Sequence, residues 1–107
     1  MAHQKLMISQ QDNIFLIEPS KIIFIQSDSC YTKIYLKGGQ KILACKPLSK
    51  LERELQPDIF IRVNQSFLIN RYLIERIDKK RKSIELNENH SVSYTVALKA
   101  LLKMIEA

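Results

Sequence analysis

Apolar residues in this chain come in runs of three or four, each closed by a short polar connector, and that spacing limits the fold most. Residues 14–17, 22–25 and 67–69 are such runs. Runs this short, rich in Ile and Phe, select strands over helices. Connectors of two to four residues join antiparallel neighbours, whereas a parallel crossover needs about a dozen. A parallel nucleotide-binding sheet is thereby excluded. No run approaches the ~20 residues of a membrane helix. Residues 1–8 lack the apolar stretch and small-residue cleavage site of a signal peptide, so a cytoplasmic chain without a membrane partner is expected. At 107 residues the length suits a single domain, 1–107, with one modest core. A hydrophobic content of 46% with only 2 Gly and 3 Pro excludes a disordered tail or linker.

The pass along the chain predicts a mainly β (α+β) fold of short antiparallel strands, one central short helix and one C-terminal helix. Strands at 5–9 and 14–17 flank a four-residue connector, 10–13. Pro19, Ser20 and Lys21 turn the chain into 22–25, an apolar run suited to a strand covered on both faces. Residues 30–37 pair with 40–45 through a two-residue turn, Gly38-Gly39, which sets Lys37 opposite Gln40. Pro47 is the natural first residue of a helix. Leu48, Leu51 and Leu55 share one face of it, with Lys50, Arg53 and Glu54 opposite. Further strands are expected at 59–63, 67–69, 73–77, 83–86 and 91–93. Thr95 is expected to cap a second helix with Leu98, Leu101, Leu102 and Ile105 inward and Lys99, Lys103 and Glu106 outward.

The net charge of +6 is unevenly placed. Between Arg62 and Lys82 lie seven cations and two anions, so this stretch holds five of the six net charges. Such concentration suits a polyanion, most often nucleic acid. A solvated hairpin around Lys79, Lys80, Arg81 and Lys82 explains the same charges as solubility alone.

Catalytic chemistry finds no support. His3 and His90 have no partner at triad or ligand spacing, and the only two glycines are adjacent, so no phosphate loop exists. Glu52 and Glu54 point to different sides of one helix. No catalytic residue, metal or cofactor is expected. In the Gly38-Gly39 register Cys45 faces Thr32 and Cys30 is its diagonal neighbour, roughly 7–8 Å away in Cα terms. A disulfide wants Cβ atoms ~3.5–4.5 Å apart, so two free thiols, at least one packed, are expected; a redox role needs a different register.

The segment 60–70 is the best candidate for function. Asn64, Gln65 and Ser66 stand between apolar runs that anchor both flanks, so the three polar side chains project together. A Gln amide bonds bidentately to the N6/N7 edge of adenine, and Ser bonds phosphate or base. An ordinary tight turn, with Asn and Ser bonding their own backbone, fits the spacing as well.

With these segments in view, the chain resembles the LytTR family, the DNA-binding output domain of bacterial response regulators. The matching pieces are 22–31, the helix after Pro47 with Leu51 and Leu55, the spacing Phe60, Arg62, Ser66, Asn70, then 74–77 and Val92-Ser93. The resemblance runs in order from about 5 to 105. It implies an elongated arrangement of small antiparallel sheets that puts loops, not a recognition helix, into the major groove. The DNA-facing positions it implies are Tyr31, Thr32, Asn64, Gln65, Ser66, Tyr94 and Thr95, with Lys33 and Arg62 on phosphates. Asn64-Gln65 replaces the usual His-Arg, and Tyr94 replaces the usual Arg, so the family's base preference does not carry over. The partners it implies are double-stranded DNA bearing paired repeats, a homodimer formed on that DNA, and a receiver or sensor domain from another chain or lying beyond this one.

Two other readings stay open at this point. Tyr31 and Tyr35, on one strand face with Lys33 between them, suit a β-barrel that stacks single strands or RNA. The missing arginines suit a protein-interaction module of the same fold with weakened DNA binding.

Overall fold

The run Ile22 to Ile25, at most 5% exposed throughout, belongs to the middle strand of the largest sheet. The computed structural model describes residues 5–107, so His3 and the reading of the first residues lie outside it. The elements are β1 (Leu6–Gln10), β2 (Asn13–Ile17), β3 (Ile22–Asp28), β4 (Tyr31–Leu36), β5 (Lys41–Ala44), α1 (Leu48–Glu54), β6 (Phe60–Arg62) and β7 (Phe67–Asn70). β8 (Ile74–Asp78), β9 (Ser83–Leu86), β10 (His90–Ser93) and α2 (Leu98–Glu106) follow. They form three antiparallel sheets, β1-β2, β5-β4-β3-β7-β6 and β10-β9-β8. The molecule measures 44 × 34 × 25 Å, an elongated arrangement of small sheets as expected.

The five-stranded sheet is buried on both faces, so the single core expected from length is divided into two. One face packs Ile25, Ile34 and Leu68 against Leu48 and Leu51 of α1 and against Leu6, Ile8 and Ile17 of the β1–β2 hairpin. The other packs Phe24 and Ile69 against Ile84, Leu86 and Val92 of the three-stranded sheet and Leu101 of α2. A bulge in β3 between Ile22 and Phe24 explains how consecutive residues serve both cores. It lets Ile23 and Phe24 face the second core together while Ile22 and Ile25 face the first.

Several local expectations are corrected. The β1–β2 connector is the two-residue turn Gln11-Asp12, with Gln10 opposite Asn13 and Gln11 at φ 53°. The β4–β5 loop holds three residues, because Tyr35 pairs with Lys41 and Thr32 with Ala44, one step from the expected register. Long-range bonds cause the shift. Lys37 N–H donates to Lys21 O (2.9 Å) instead of pairing with Gln40. Gly38 N–H donates to the Glu88 carboxylate (3.0 Å), and Gly38 and Gly39 take φ of +90° and +87°, which suits residues without a Cβ.

Pro47 is the cap of α1, outside its first turn, and Leu48, Leu51 and Leu55 are buried as expected. Thr95 caps nothing; α2 starts two residues later behind Ala97, and Thr95 N–H bonds Val63 O instead (3.0 Å). On α2, Leu102 is 44% exposed and Met104 takes the packed position assigned to it. Cys30 and Cys45 are both free and exposed, so the expectation of a packed thiol fails. Cys30 sits in the β3–β4 turn, and Cys45 follows the inward Ala44 just past the end of β5.

Candidate nucleic-acid interface

The loop 64–66 between β6 and β7 is held by two side chains, Asn64 and Arg62. Asn64 Oδ1 accepts from Ser66 N (2.7 Å) and Phe67 N (2.9 Å), the geometry in which a short side chain replaces a turn's backbone acceptor. Its Nδ2 donates to Ser93 O at the end of β10 (2.7 Å). Arg62 Nε donates to Asn64 O (2.9 Å) and Nη2 to Gln65 O (2.7 Å). Its Nη1 meets Glu52 Oε1 on α1 at 2.6 Å. Asn70 Oδ1 accepts from Tyr72 N (3.0 Å) and its Nδ2 donates to Ile22 O (3.0 Å), pinning β7 to the start of β3. Within the spacing Phe60, Arg62, Ser66, Asn70, Phe60 packs in the core, Arg62 braces the loop and Asn70 ties β7 to β3.

Three separate segments meet at this loop. Ser27 N–H donates to Ser66 O (2.8 Å), which seats the β3–β4 hairpin end beside it. Asn64 and Val63 hold the strap 93–95 through Ser93 O and Thr95 N. The cationic turn between β8 and β9 lies one strand further, because Tyr94 N–H donates to Lys82 O (3.1 Å) and Ser83 pairs with Ser93. Sequence reasoning grouped that turn with the loop only by charge along 62–82; the β9–β10 pairing and the 93–95 strap bring them together in space. Asp78 shapes the turn by accepting from Arg81 N (3.0 Å) and Lys80 N (3.1 Å). The Arg81 N–H foremost, then the Arg81 charge, the Lys80 N–H and the Arg76 charge, hold its carboxyl below the usual range.

The nine expected DNA-facing residues separate into two groups. Gln65 is exposed, and among the described residues its side-chain amide makes no bond. Tyr31 is 47% exposed in the hairpin end, Thr95 is exposed, and Ser66 is half-buried at the loop tip. Lys33, in β4 opposite Gln26, pairs with Asp28 at 3.2 Å. The other four lie inside or are tied down. Thr32 is 0% exposed and Tyr94 4%, so both side chains are buried where exposed positions were expected. The cause is strand alternation, Thr32 sharing the inward parity of Ile34 and Leu36, and Tyr94 that of Val92. Asn64 and Arg62 have their polar groups engaged by the loop backbone, by Ser93 O and by Glu52, where Arg62 was expected at a phosphate.

Tyr35 also departs from expectation. Its ring stacks on Phe24 with centroids 4.3 Å apart, beside His90. The exposed aromatic pair that favoured single-strand binding is thus reduced to Tyr31, and the sheets are open, forming no barrel.

The Thr32 hydroxyl is fully buried with no partner among the described residues. An unpaired buried hydroxyl costs about 1–3 kcal/mol of desolvation. Thr32→Val keeps the shape and removes the hydroxyl. A gain of about 1 kcal/mol is expected, measured as a higher urea midpoint at constant slope.

A mostly β domain that gathers a braced polar loop, a hairpin end and a cationic turn at one end presents a loop-built surface suited to a polyanion. The LytTr DNA-binding domain family matches residues 12–105, and the chain belongs to it. A solved structure described as the LytTr DNA-binding domain of a putative methyl-accepting/DNA response regulator from Bacillus cereus shares its fold. The TM-score is 0.80 at 16% identity, covering 99% of each chain. Comparison with curated proteins finds no match. The chain is therefore a DNA-binding domain of the LytTr family, and the family is a DNA-binding one, not a catalytic one. Among the described residues, no helix is long and apolar enough to cross a membrane.

Proposed function

We propose that this domain binds double-stranded DNA sequence-specifically and reads the major groove through the loop 64–66, with Gln65 as the base-reading residue. One observation carries the reading. Gln65 is the exposed, unbonded amide on a loop that the Asn64 and Arg62 side chains hold in place. A rigid frame around one free donor–acceptor side chain is what direct base readout requires, and a Gln amide matches adenine in the major groove. Ser66, Thr95 and Tyr31 lie around it for sugar, phosphate or base contacts, and Lys33 supplies a phosphate contact. Thr32, Arg62, Asn64 and Tyr94 build this surface and do not touch DNA. Paired repeats bound by two protomers, and a receiver or sensor domain acting on this one from the cytoplasm, complete the proposal.

The test is selection of bound duplexes from a random pool at near-physiological salt. The wild-type chain is expected to enrich a fixed adenine that Gln65→Ala no longer prefers, a loss of about 1–3 kcal/mol at one base pair. An unchanged preference in the variant would remove the reading role from this loop.

A further inference from the structure

The seven cations between Arg62 and Lys82 are not equivalent once folded. Arg62 is paired with Glu52, and Arg71 donates to Ile105 O at the end of α2 (2.8 Å). Lys79, Lys80, Arg81 and Lys82 are exposed, and among the described residues none of them stands in an ion pair. Their turn is also shaped in advance. The two bonds to Asp78 fix its backbone, Lys82 takes φ 53°, and Lys82 O is held by Tyr94 N. Four unspent cations on a fixed turn differ from a mobile basic tail.

Position gives this turn a specific use. From the loop 64–66 the backbone bonds step to Ser93 and Thr95, then to Lys82 and Ser83. Two strand spacings separate them, on the order of 10 Å. The major groove is about 12 Å wide. A loop seated in the groove therefore leaves the turn over the phosphates that border it.

We propose that the β8–β9 turn is a phosphate clasp, a second contact point that holds the duplex backbone beside the groove read by Gln65. This rests on the duplex-reading function proposed above, and it adds a distinct role for residues outside the reading positions. The clasp contributes affinity without base preference. It also differs from a steering patch, which speeds encounter but leaves the bound complex unchanged.

The test is a triple variant, Lys79→Gln with Lys80→Gln and Arg81→Gln, compared with the wild-type chain on one selected duplex. Lys82 is retained because of its positive φ, and the Asp78 bonds survive because they use backbone N–H groups. Each lost phosphate contact lowers the salt slope by about 0.9, so a slope shallower by roughly two units or more is expected. Affinity near 0.15 M salt should fall about 10- to 100-fold for all duplexes, with faster dissociation and the same selected sequence. An unchanged slope, or slower association with unchanged dissociation, would overturn the clasp while leaving base reading intact. A wild-type chain with no salt-dependent duplex binding would instead overturn the reading function, and the clasp with it.

Discussion

Asn64→Ala is expected to lower the unfolding free energy by about 2–3 kcal/mol and to abolish base preference. The magnitude follows from three bonds of 2.7, 2.9 and 2.7 Å to Ser66 N, Phe67 N and Ser93 O, each contributing about 1 kcal/mol net. Two of the groups left behind are the N–H donors of Ser66 and Phe67. In a domain of this size the midpoint of thermal unfolding should fall by roughly 10 °C. Function is lost for a different reason, since Gln65 then samples many orientations and pays ordering entropy on binding. Asn64→Asp separates the two effects. It keeps both bonds accepted by Oδ1 and gives up only the donation to Ser93 O. Its stability loss is expected to be smaller, while its carboxylate repels phosphate and weakens every duplex alike. Calorimetry with duplex selection on both variants checks this; an Ala variant with native stability would show that the side chain does not hold the loop.

Leu51→Ala carries the largest expected loss of stability, about 2–5 kcal/mol, as for other large-to-small core changes. A helix of seven residues has no independent stability and forms because its apolar face is buried. Leu51 is 0% exposed beneath the five-stranded sheet, so it is the anchor of α1. Its loss also reaches the interface, because the next residue, Glu52, holds the Arg62 guanidinium that braces Asn64 O and Gln65 O. Duplex affinity should therefore fall together with stability. Leu102→Ala, at a 44% exposed position of α2, is expected within about 0.5 kcal/mol of wild type and with unchanged binding. Chemical denaturation of the two variants makes the comparison, and equal losses would contradict the burial argument.

What the sequence made legible, and what it hid, follows the range of the interactions involved. The short apolar runs were enough for antiparallel strands and for the buried Leu48, Leu51 and Leu55 face of α1, because both signals are local. The β4–β5 register was not, because Lys37 and Gly38 spend their N–H groups on Lys21 and Glu88, the latter 50 residues away. The same holds for the site. Arg62 reads as a free cation until α1 brings Glu52 to it; the turn bonds of Asn64 to its own backbone were legible in the spacing, but its donation to Ser93 O needs β10. Thr32 and Tyr94 are another matter. Each shares the parity of buried strand neighbours, Ile34 and Val92, so period-2 alternation already carried the signal that places them inside. Resemblance to a family proposed the surface; the alternation tells which of its residues face outward.

The most direct test of the central claim is a titration of the isotope-labelled domain with a selected duplex, followed by backbone and side-chain NMR shifts. The largest changes are expected at the Gln65 side-chain amide, Ser66, Thr95, Tyr31 and Lys33, with the turn 79–82 shifting in a salt-dependent way. The β1–β2 hairpin should stay unperturbed. Shifts centred on that hairpin or on the outer face of α1, with Gln65 unmoved, would contradict the account.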